Sequence, residues 1–190
     1  KQALRAKLAD WAEESKESHV GRGYPSYWLS FDTEAHARHA NFIRHADEEQ
    51  RAFAFDAQVD RVRAVTEVTI YCPAHHGLFA GIAGAMAVSG ANIVDARVSS
   101  TTDGMALDVF WIQDTAGGAY ERAEHLERLA ATIENTLTGD FKPGLALAER
   151  NMLPSRTEVF TVAPRVLVDN NASATYTVVE VNGRDRVGLL

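Results

Sequence analysis

Cysteine is nearly absent from this sequence of 190 residues, which has a single thiol at Cys72. One cysteine excludes an intrachain disulfide and favours a reducing compartment. Long hydrophobic runs are missing too, since no stretch reaches the roughly 18 residues of a membrane span and no signal peptide opens the chain. The sequence therefore predicts a cytoplasmic globular protein with no membrane partner, in which Cys72 is a small, half-buried strand residue.

Basic residues are too few and too scattered for a nucleic-acid surface. The chain has 19 lysines and arginines against 26 aspartates and glutamates, a formal net charge of −7. Nucleic acids and anionic lipids are bound by dense basic stripes, so we expect neither as a partner.

Residues that could bind a metal are poorly grouped. His36, His39 and His45 follow one another as H-x2-H-x5-H on one predicted helix. The first two lie one helical turn apart, but no cysteine or well-spaced carboxylate completes a closed ligand set. We interpret them as surface or interdomain histidines and expect no metal site.

Residues 1–61 predict a helical linker that needs a neighbour. Residues 1–18 have the spacing of a polar helix, and Asp32 or Thr33 would cap a second helix that reaches about residue 49. Neither helix has enough apolar surface to fold alone. The narrow apolar stripe of the first helix consists of Leu4, Leu8 and Trp11.

Residues 62–168 predict an α+β domain. A strand around residues 68–71 is followed by a helix over 77–89, two strands, a helix over 120–137 and a strand over 157–162. The order β-α-β-β-α-β is that of a ferredoxin-like fold, in which two helices cover one face of an antiparallel sheet. We therefore expect this fold with an N-terminal helical extension.

Asp103 and Gly104 predict a tight hairpin between the second and third strands. A two-residue loop sets a register in which one face of the sheet is largely apolar and contains the pairs Ser100–Leu107, Val98–Val109 and Ala96–Trp111. The opposite face would carry Arg97, Phe110 and Ile112, and it would meet water or a partner.

The glycine-rich segment after the first strand raises the alternative of a nucleotide-binding loop. Dinucleotide folds continue with a parallel strand and another crossover helix, whereas a tight hairpin follows here. The spacing of Gly77, Gly81 and Gly84 also departs from G-x-G-x-x-G, although Asp95 mimics the acid that binds the ribose. We therefore favour close helix packing over phosphate binding.

The chain repeats itself at an offset of 111 residues. VTIYCPAHHGLF, which starts at Val68, aligns with VEVNGRDRVGLL, which starts at Val179, so that Gly77 matches Gly188. We interpret residues 169–190 as the truncated start of a second domain of the same kind.

Three stretches carry a family resemblance. HHGLFAGIAGAMAVSGANIVDARVSSTTDGMALDVFWIQD and VVEVNGRDRVGLL resemble the tandem C-terminal ACT domains of bifunctional uridylyltransferase/uridylyl-removing enzymes, which act on the nitrogen-regulatory protein PII. YWLSFDTEAHARHANFIRHAD resembles the segment that joins the HD hydrolase domain of those enzymes to the first ACT domain.

The resemblance implies a regulatory region. In that family a nucleotidyltransferase domain uridylylates PII when glutamine is scarce, an HD domain removes the group when glutamine is plentiful, and the ACT domains are held to sense glutamine. Neither catalytic signature is present, since no Gly-Ser motif precedes paired aspartates and no histidine is followed directly by aspartate. The resemblance therefore implies no catalytic residue and no cofactor in this chain, with Mg²⁺ expected only for the catalytic domains of the parent enzyme.

A ligand site is expected at the first turn of the glycine-rich helix. Free N–H groups there suit a carboxylate, and Asn92 would bond a side-chain amide. The first repeat has AHHG where the family often has Asp-x-Pro-Gly, so its site would be weak or would need acceptors from the neighbouring repeat, whereas Asp185 would anchor an ammonium. The predicted ligand residues are His75, His76, Gly77, Leu78, Asn92, Ile93, Asp185, Arg186, Gly188 and Leu189.

Two other functions stay open from the sequence. One is an assembly module without a ligand, because ACT–ACT pairing or a homodimer is expected for such domains. The other is an ACT domain of an amino-acid metabolic enzyme, which the second copy, EVNGRDR, disfavours. Titration with glutamine separates a sensor from a passive module, because a bound ligand stabilises the fold.

Overall fold

The computed structural model describes residues 1–151, 163, 165–174 and 177–182 of the chain. The helices are α1 (Gln2–Lys7), α2 (Glu13–Arg22), α3 (Pro25–Ser30), α4 (Thr33–Glu48), α5 (Leu78–Val88), α6 (Ala123–Thr138) and α7 (Pro143–Asn151). The strands are β1 (Ala54–Asp60), β2 (Val65–Pro73), β3 (Asn92–Ser100), β4 (Met105–Gln113), β5 (Arg165–Asp169) and β6 (Val178–Asn182).

Four strands form one antiparallel sheet in the order β1–β2–β4–β3. The chain passes through β2, α5, β3, β4 and α6 in turn, and a hairpin joins β3 to β4. This confirms the predicted α+β class, a ferredoxin-like arrangement with an N-terminal helical extension. A dinucleotide fold would need a parallel strand where β4 runs antiparallel to β3.

The strand beside β2 at the edge of the sheet is β1, which the sequence analysis placed in the helical linker. It pairs with β2 from Ala54 opposite Tyr71 to Asp60 opposite Val65. The predicted strand over residues 157–162 lies outside the described residues. The sheet therefore begins before residue 62, and the alternating letters AFDAQVD were the signal for it.

Helices α5 and α6 cover one face of the sheet and form the main hydrophobic core. Burying each large apolar side chain stabilises the fold by about 1.5–3 kcal/mol relative to exposing it. Cys72 lies on a strand, as predicted, but it belongs to this core and is 2% exposed, where the sequence predicted a half-buried residue. The fully buried members include Val68, Ile70, Ile82, Met86, Phe110, Ile112, Leu129 and Ile133.

The N-terminal helices cover the opposite face of the sheet, which is the neighbour on which they pack. Asp32 caps α4, because its Oδ1 accepts a hydrogen bond of 2.8 Å from the backbone N–H of Ala35. One cluster joins Tyr27, Ile43 and Ala46 to Ala54, Tyr71 and Leu107, and another joins Phe31 to Val65, Val109 and Trp111.

The single helix predicted over residues 1–18 is wrong, since α1 ends at Lys7 and α2 begins at Glu13. The intervening turn brings Trp11 back onto α4, where its Nε1 donates a hydrogen bond of 3.2 Å to Asn41 Oδ1. Tertiary packing therefore interrupts a helix that local propensity would continue. The apolar stripe predicted for the first helix still packs together, because Leu4, Leu8 and Trp11 form one cluster with Ala40 of α4.

The predicted hairpin exists, but the register predicted for its two strands is wrong by one residue. Thr101 N–H donates to Met105 O at 2.7 Å, which leaves a three-residue turn over 102–104, with Gly104 at φ 83°. The observed pairs are Ser100–Ala106, Val98–Asp108, Ala96–Phe110 and Arg97–Val109.

The shifted register removes the predicted mixed face. Phe110 and Ile112 are buried beneath α5 and α6, whereas Arg97 lies on the opposite face. There its guanidinium stacks 5.4 Å from the ring centroid of Phe31 and 5.5 Å from that of Trp111. A surface made jointly of Arg97, Phe110 and Ile112 therefore does not exist.

The separate hairpin β5–β6 repeats β1–β2 at the offset of 111 residues seen in the sequence. Ala54 lies opposite Tyr71 in the first hairpin, and Arg165 lies opposite Asn182 in the second. The repeat thus extends back to residue 165, across the predicted domain boundary at 168/169. The positions that match Phe55, Ala57, Val68 and Ile70 are Val166, Val168, Val179 and Val181, exposed by 63, 55, 55 and 49%.

Candidate functional site

The loop between β2 and α5 lies at one end of the sheet and carries the predicted ligand residues His75, His76, Gly77 and Leu78. Gly77 is the N-cap of α5 at φ 81°, a left-handed conformation that glycine adopts readily. The two histidines are exposed, and Leu78 is buried. Ala74 N–H donates a hydrogen bond of 2.9 Å to Gly104 O, which fixes the loop to the β3–β4 turn.

Asn92 and Ile93 lie at the other end of the sheet. Asn92 pairs with Gln113, whereas Pro73, next to the loop, pairs with Met105. The whole of β4, 9 residues long, separates the two groups, and this is roughly 27 Å of extended chain. Because α5 carries the chain back along the sheet, one chain cannot unite Asn92 with the loop.

The ligand residues predicted in the second repeat are not placed by the structure. Asp185, Arg186, Gly188 and Leu189 lie outside the described residues. Their part in ligand binding stays a prediction.

A cleft of about 700 Å³ opens beside the loop, between the start of β1, the end of β2 and α6. Sequence reasoning missed it, because β1 was not predicted and the cleft exists only where α6 overhangs that strand. Its apolar lining includes Phe53, Phe55, Cys72 and Leu137, and its polar lining includes Arg51, His75, Glu134 and Thr138.

The cleft carries one cation and one anion on different walls. Arg51 lies three residues beyond the end of α4 and pairs through Nε with Glu49. Glu134 projects from α6, and it has no ion-pair partner within the described residues. A guanidinium binds a carboxylate and a carboxylate binds an ammonium, so the cleft suits a small zwitterion with an uncharged side chain.

Of the three predicted helix histidines, His36 and His39 lie buried between α4 and the aromatic residues of α3. His39 Nδ1 lies 3.2 Å from Tyr27 Oη, while His39 Nε2 has no partner among the described residues. Burial lowers the pKa of His39 to about 3, so the ring is neutral. His36 is buried beside it, and His45 is exposed.

In the described part of the chain, no group of three or more His, Cys, Asp or Glu residues could hold a metal ion. No described helix is long and apolar enough to cross a bilayer.

Asp108 is a buried polar residue to which sequence reasoning gave no role. It is 1% exposed, and neither carboxylate oxygen has a hydrogen bond of normal geometry within the described residues. Burial raises the pKa of Asp108 to about 6, an effect that the nearby backbone of Ser99 only partly offsets. Asp108 lies opposite Ile70, on the sheet face that α5 and α6 cover, and the sequence analysis had no register for the β2–β4 pair that would show this position.

The fold defines an α+β unit of ferredoxin-like topology whose sheet is covered by helices on both faces. No family model matches the chain. It is 52% identical over 190 residues to the bifunctional uridylyltransferase/uridylyl-removing enzyme of Azospirillum brasilense, covering 99% of this chain and 20% of that enzyme. The enzyme of Rhodospirillum rubrum is 47% identical over 191 residues, 100% of this chain and 20% of the relative.

A third relative of the same name, from Gluconobacter oxydans, is 46% identical over 180 residues, covering 94% of this chain and 19% of that enzyme. The chain therefore belongs to the family of bifunctional uridylyltransferase/uridylyl-removing enzymes, and it spans about one fifth of the length of these relatives. This confirms the family resemblance found in the sequence.

Proposed function

We propose that this chain is a glutamine-sensing regulatory region, of ACT type, of a bifunctional uridylyltransferase/uridylyl-removing enzyme that reports nitrogen status in the cytoplasm. The family membership supports the proposal. Uridylyl transfer and removal, PII as the protein partner and Mg²⁺ as the catalytic cofactor are proposed for the complete enzyme, of which the chain spans about one fifth.

The cleft beside the β2–α5 loop is the observation that carries the proposal. Arg51 would bind the α-carboxylate of glutamine, and Glu134 would bind its ammonium group. The uncharged side chain would lie on Phe53 and Phe55, which line the cleft. A volume of about 700 Å³ leaves room for this ligand and for ordered water.

Binding in this cleft would act on two elements at once. Arg51 lies just after α4, the longest helix of the N-terminal layer, and Glu134 lies on α6. A ligand that bridges them would hold the end of the helical layer against α6. The bound state would gain stability according to the ligand concentration and its dissociation constant.

Calorimetric titration of the chain with L-glutamine tests the proposal. Arg51→Met and Glu134→Gln should each weaken binding by about tenfold or more, because each removes a charge-assisted hydrogen bond. Glu127→Gln, also on α6 but outside the cleft, is the matched control and should bind as the parent chain does. N-acetylglutamine, which lacks the ammonium group, should bind weakly. Absence of both heat and thermal stabilisation with glutamine would refute sensing by this chain.

Assembly through β3 is the second candidate, favoured by its exposed outer edge. Among the strands that the structure describes, β3 pairs with β4 alone, and Val94 and Val98 are 47% and 55% exposed. Pairing of two chains would also allow Asn92 of one chain to approach the β2–α5 loop of the other, which it does not reach within its own chain. Sedimentation velocity tests this function, since Val98→Lys should abolish a dimer formed through this edge and should leave a monomer unchanged.

A further inference from the structure

The end of α2 meets three other elements at Arg22. Arg22 Nη1 lies 2.6 Å from Asp47 Oδ2 on α4, and Arg22 Nη2 lies 2.6 Å from Asp103 Oδ2 in the β3–β4 turn. Nη2 also donates a hydrogen bond to Tyr71 Oη on β2. The Arg22 side chain is only 20% exposed, so these charge-assisted contacts are partly shielded from water. We call Arg22, Asp47, Tyr71 and Asp103 the Arg22 cluster.

The backbone reinforces the same contact. Thr102 N–H donates a hydrogen bond of 2.9 Å to Arg22 O, and Gly23 forms an isolated bridge with Thr101. The turn is therefore attached to α2 by main chain and side chain together. A shift of the turn would have to move the end of α2 or break both kinds of contact.

The other side of this turn holds the candidate ligand loop. Ala74 N–H donates a hydrogen bond of 2.9 Å to Gly104 O, next to the residue that Arg22 binds. Asp103 and Gly104 are consecutive, so a movement of the loop acts on the residue beside the ion pair. The turn thus lies between the loop and the helical layer and contacts both.

We propose that the Arg22 cluster couples the β2–α5 loop to the helices α2 and α4, so that a ligand at the loop stabilises those helices through the β3–β4 turn. The direction of signalling rests on the proposed sensing function; the mechanical link does not. Asp103 is the element with two states, bound to Arg22 or released, and Asp47 keeps Arg22 attached to α4 in either state. Coupling of this kind is reciprocal, so weakening the cluster must also loosen the loop.

The chain contains a matched control for this coupling. Arg38 on α4 forms an ion pair with Glu67 on β2 at 2.9 Å, so it also ties the helical layer to the sheet. Glu67 pairs with Trp111, toward the end of the sheet opposite the loop. Loss of this single ion pair removes a tie between the helical layer and the sheet without touching the turn.

Residue-resolved amide hydrogen exchange on the ligand-free chain tests the link. In Arg22→Met the amide of Ala74 should exchange about tenfold faster relative to the core amide of Phe110, because a charge-assisted contact that holds the turn is lost. Asp103→Asn keeps the Arg22–Asp47 pair and should give the same result. Arg38→Met should leave the ratio unchanged.

A second arm adds saturating L-glutamine. In the parent chain and in Arg38→Met, exchange should slow both at Ala74 and in α4. In Arg22→Met it should slow at Ala74 alone. Equal effects of Arg22→Met and Arg38→Met, or no effect of either on Ala74, would overturn the coupling. If glutamine slows no amide in any variant, the sensing function fails, and the ligand-free arm still decides the link.

Discussion

Asp108 on β4 lies directly opposite Ile70 on β2, in the face of the sheet that α5 and α6 cover. Its folded-state pKa is raised from 3.8 to about 6 by burial, so the folded chain holds this proton more tightly than the unfolded chain. The sheet therefore carries a destabilising charge at neutral pH. That cost is absent below about pH 4, grows as the pH rises through 6 and is complete above it.

Asp108→Asn should therefore stabilise the fold at pH 7.5. The gain is bounded at about 3 kcal/mol, the free-energy equivalent of a two-unit pKa shift, and it is reduced because the amide also lacks partners. The gain should disappear near pH 4. Urea unfolding at several pH values measures it, with exposed Asp10→Asn as the control, and a gain that does not depend on pH would contradict the charge explanation.

The buried histidines should make the fold sensitive to acid. Burial lowers the pKa of His19 to about 4 and that of His39 to about 3, so the unfolded chain takes up these protons first. The stability that these neutral rings contribute is present above pH 6.5 and is lost as the pH falls toward 4.

His39→Phe removes one of these titrations and keeps an aromatic ring beside Phe31. Between pH 6 and 4.5 the slope of unfolding free energy against pH should fall by up to about 1.4 kcal/mol per pH unit. His45→Gln, an exposed change on the same helix, should leave the slope unaltered. Denaturant unfolding across this range checks both, and equal slopes in the parent chain and His39→Phe would be evidence against the assignment.

Two glycines on α5 should respond oppositely to alanine. A Cβ on Gly84 would lie 2.9 Å from Pro143 Cβ, whereas a Cβ on Gly81 would meet Thr136 Cγ2 at 3.4 Å. Gly84→Ala should push α7 away and cost about 1–3 kcal/mol, as overpacking does. Gly81→Ala should be neutral or should gain up to about 1 kcal/mol of helix propensity. Thermal unfolding of the pair measures the difference, and a stabilised Gly84→Ala would show that α7 does not pack there in solution.

The repeated hairpins offer equivalent positions with different burial. Val68 is fully buried, whereas Val179, 111 residues later, is 55% exposed. Val68→Thr should cost about 1–3 kcal/mol, because it places a hydroxyl in the core, and Val179→Thr should cost less than about 0.5 kcal/mol. Chemical denaturation compares them. A large and concentration-dependent loss in Val179→Thr would mean that a second chain covers this strand.

Local sequence signals predicted the parts of the fold that depend on a few neighbouring residues. Asp32 capped α4 and Gly77 began α5, because a side-chain acceptor and a positive φ are local requirements. The hairpin at Asp103–Gly104 was also local. Its register was not, because a third residue in the turn shifted the pairs between β3 and β4 and placed Arg97 on the face opposite Phe110.

The candidate site shows the same division. The sequence identified the loop from His75 to Leu78, but it wrongly brought Asn92 to it, since only the path of α5 and the pairing of β4 set their separation. Arg51 and Glu134 are 83 positions apart by their numbers in the sequence, and no local pattern joins them. By itself the sequence determined the family, the order of the elements from β2 to α6 and the repeat. Only the tertiary structure decided the register, the covering of both sheet faces and the composition of the cleft, because each depends on contacts between segments distant in the chain.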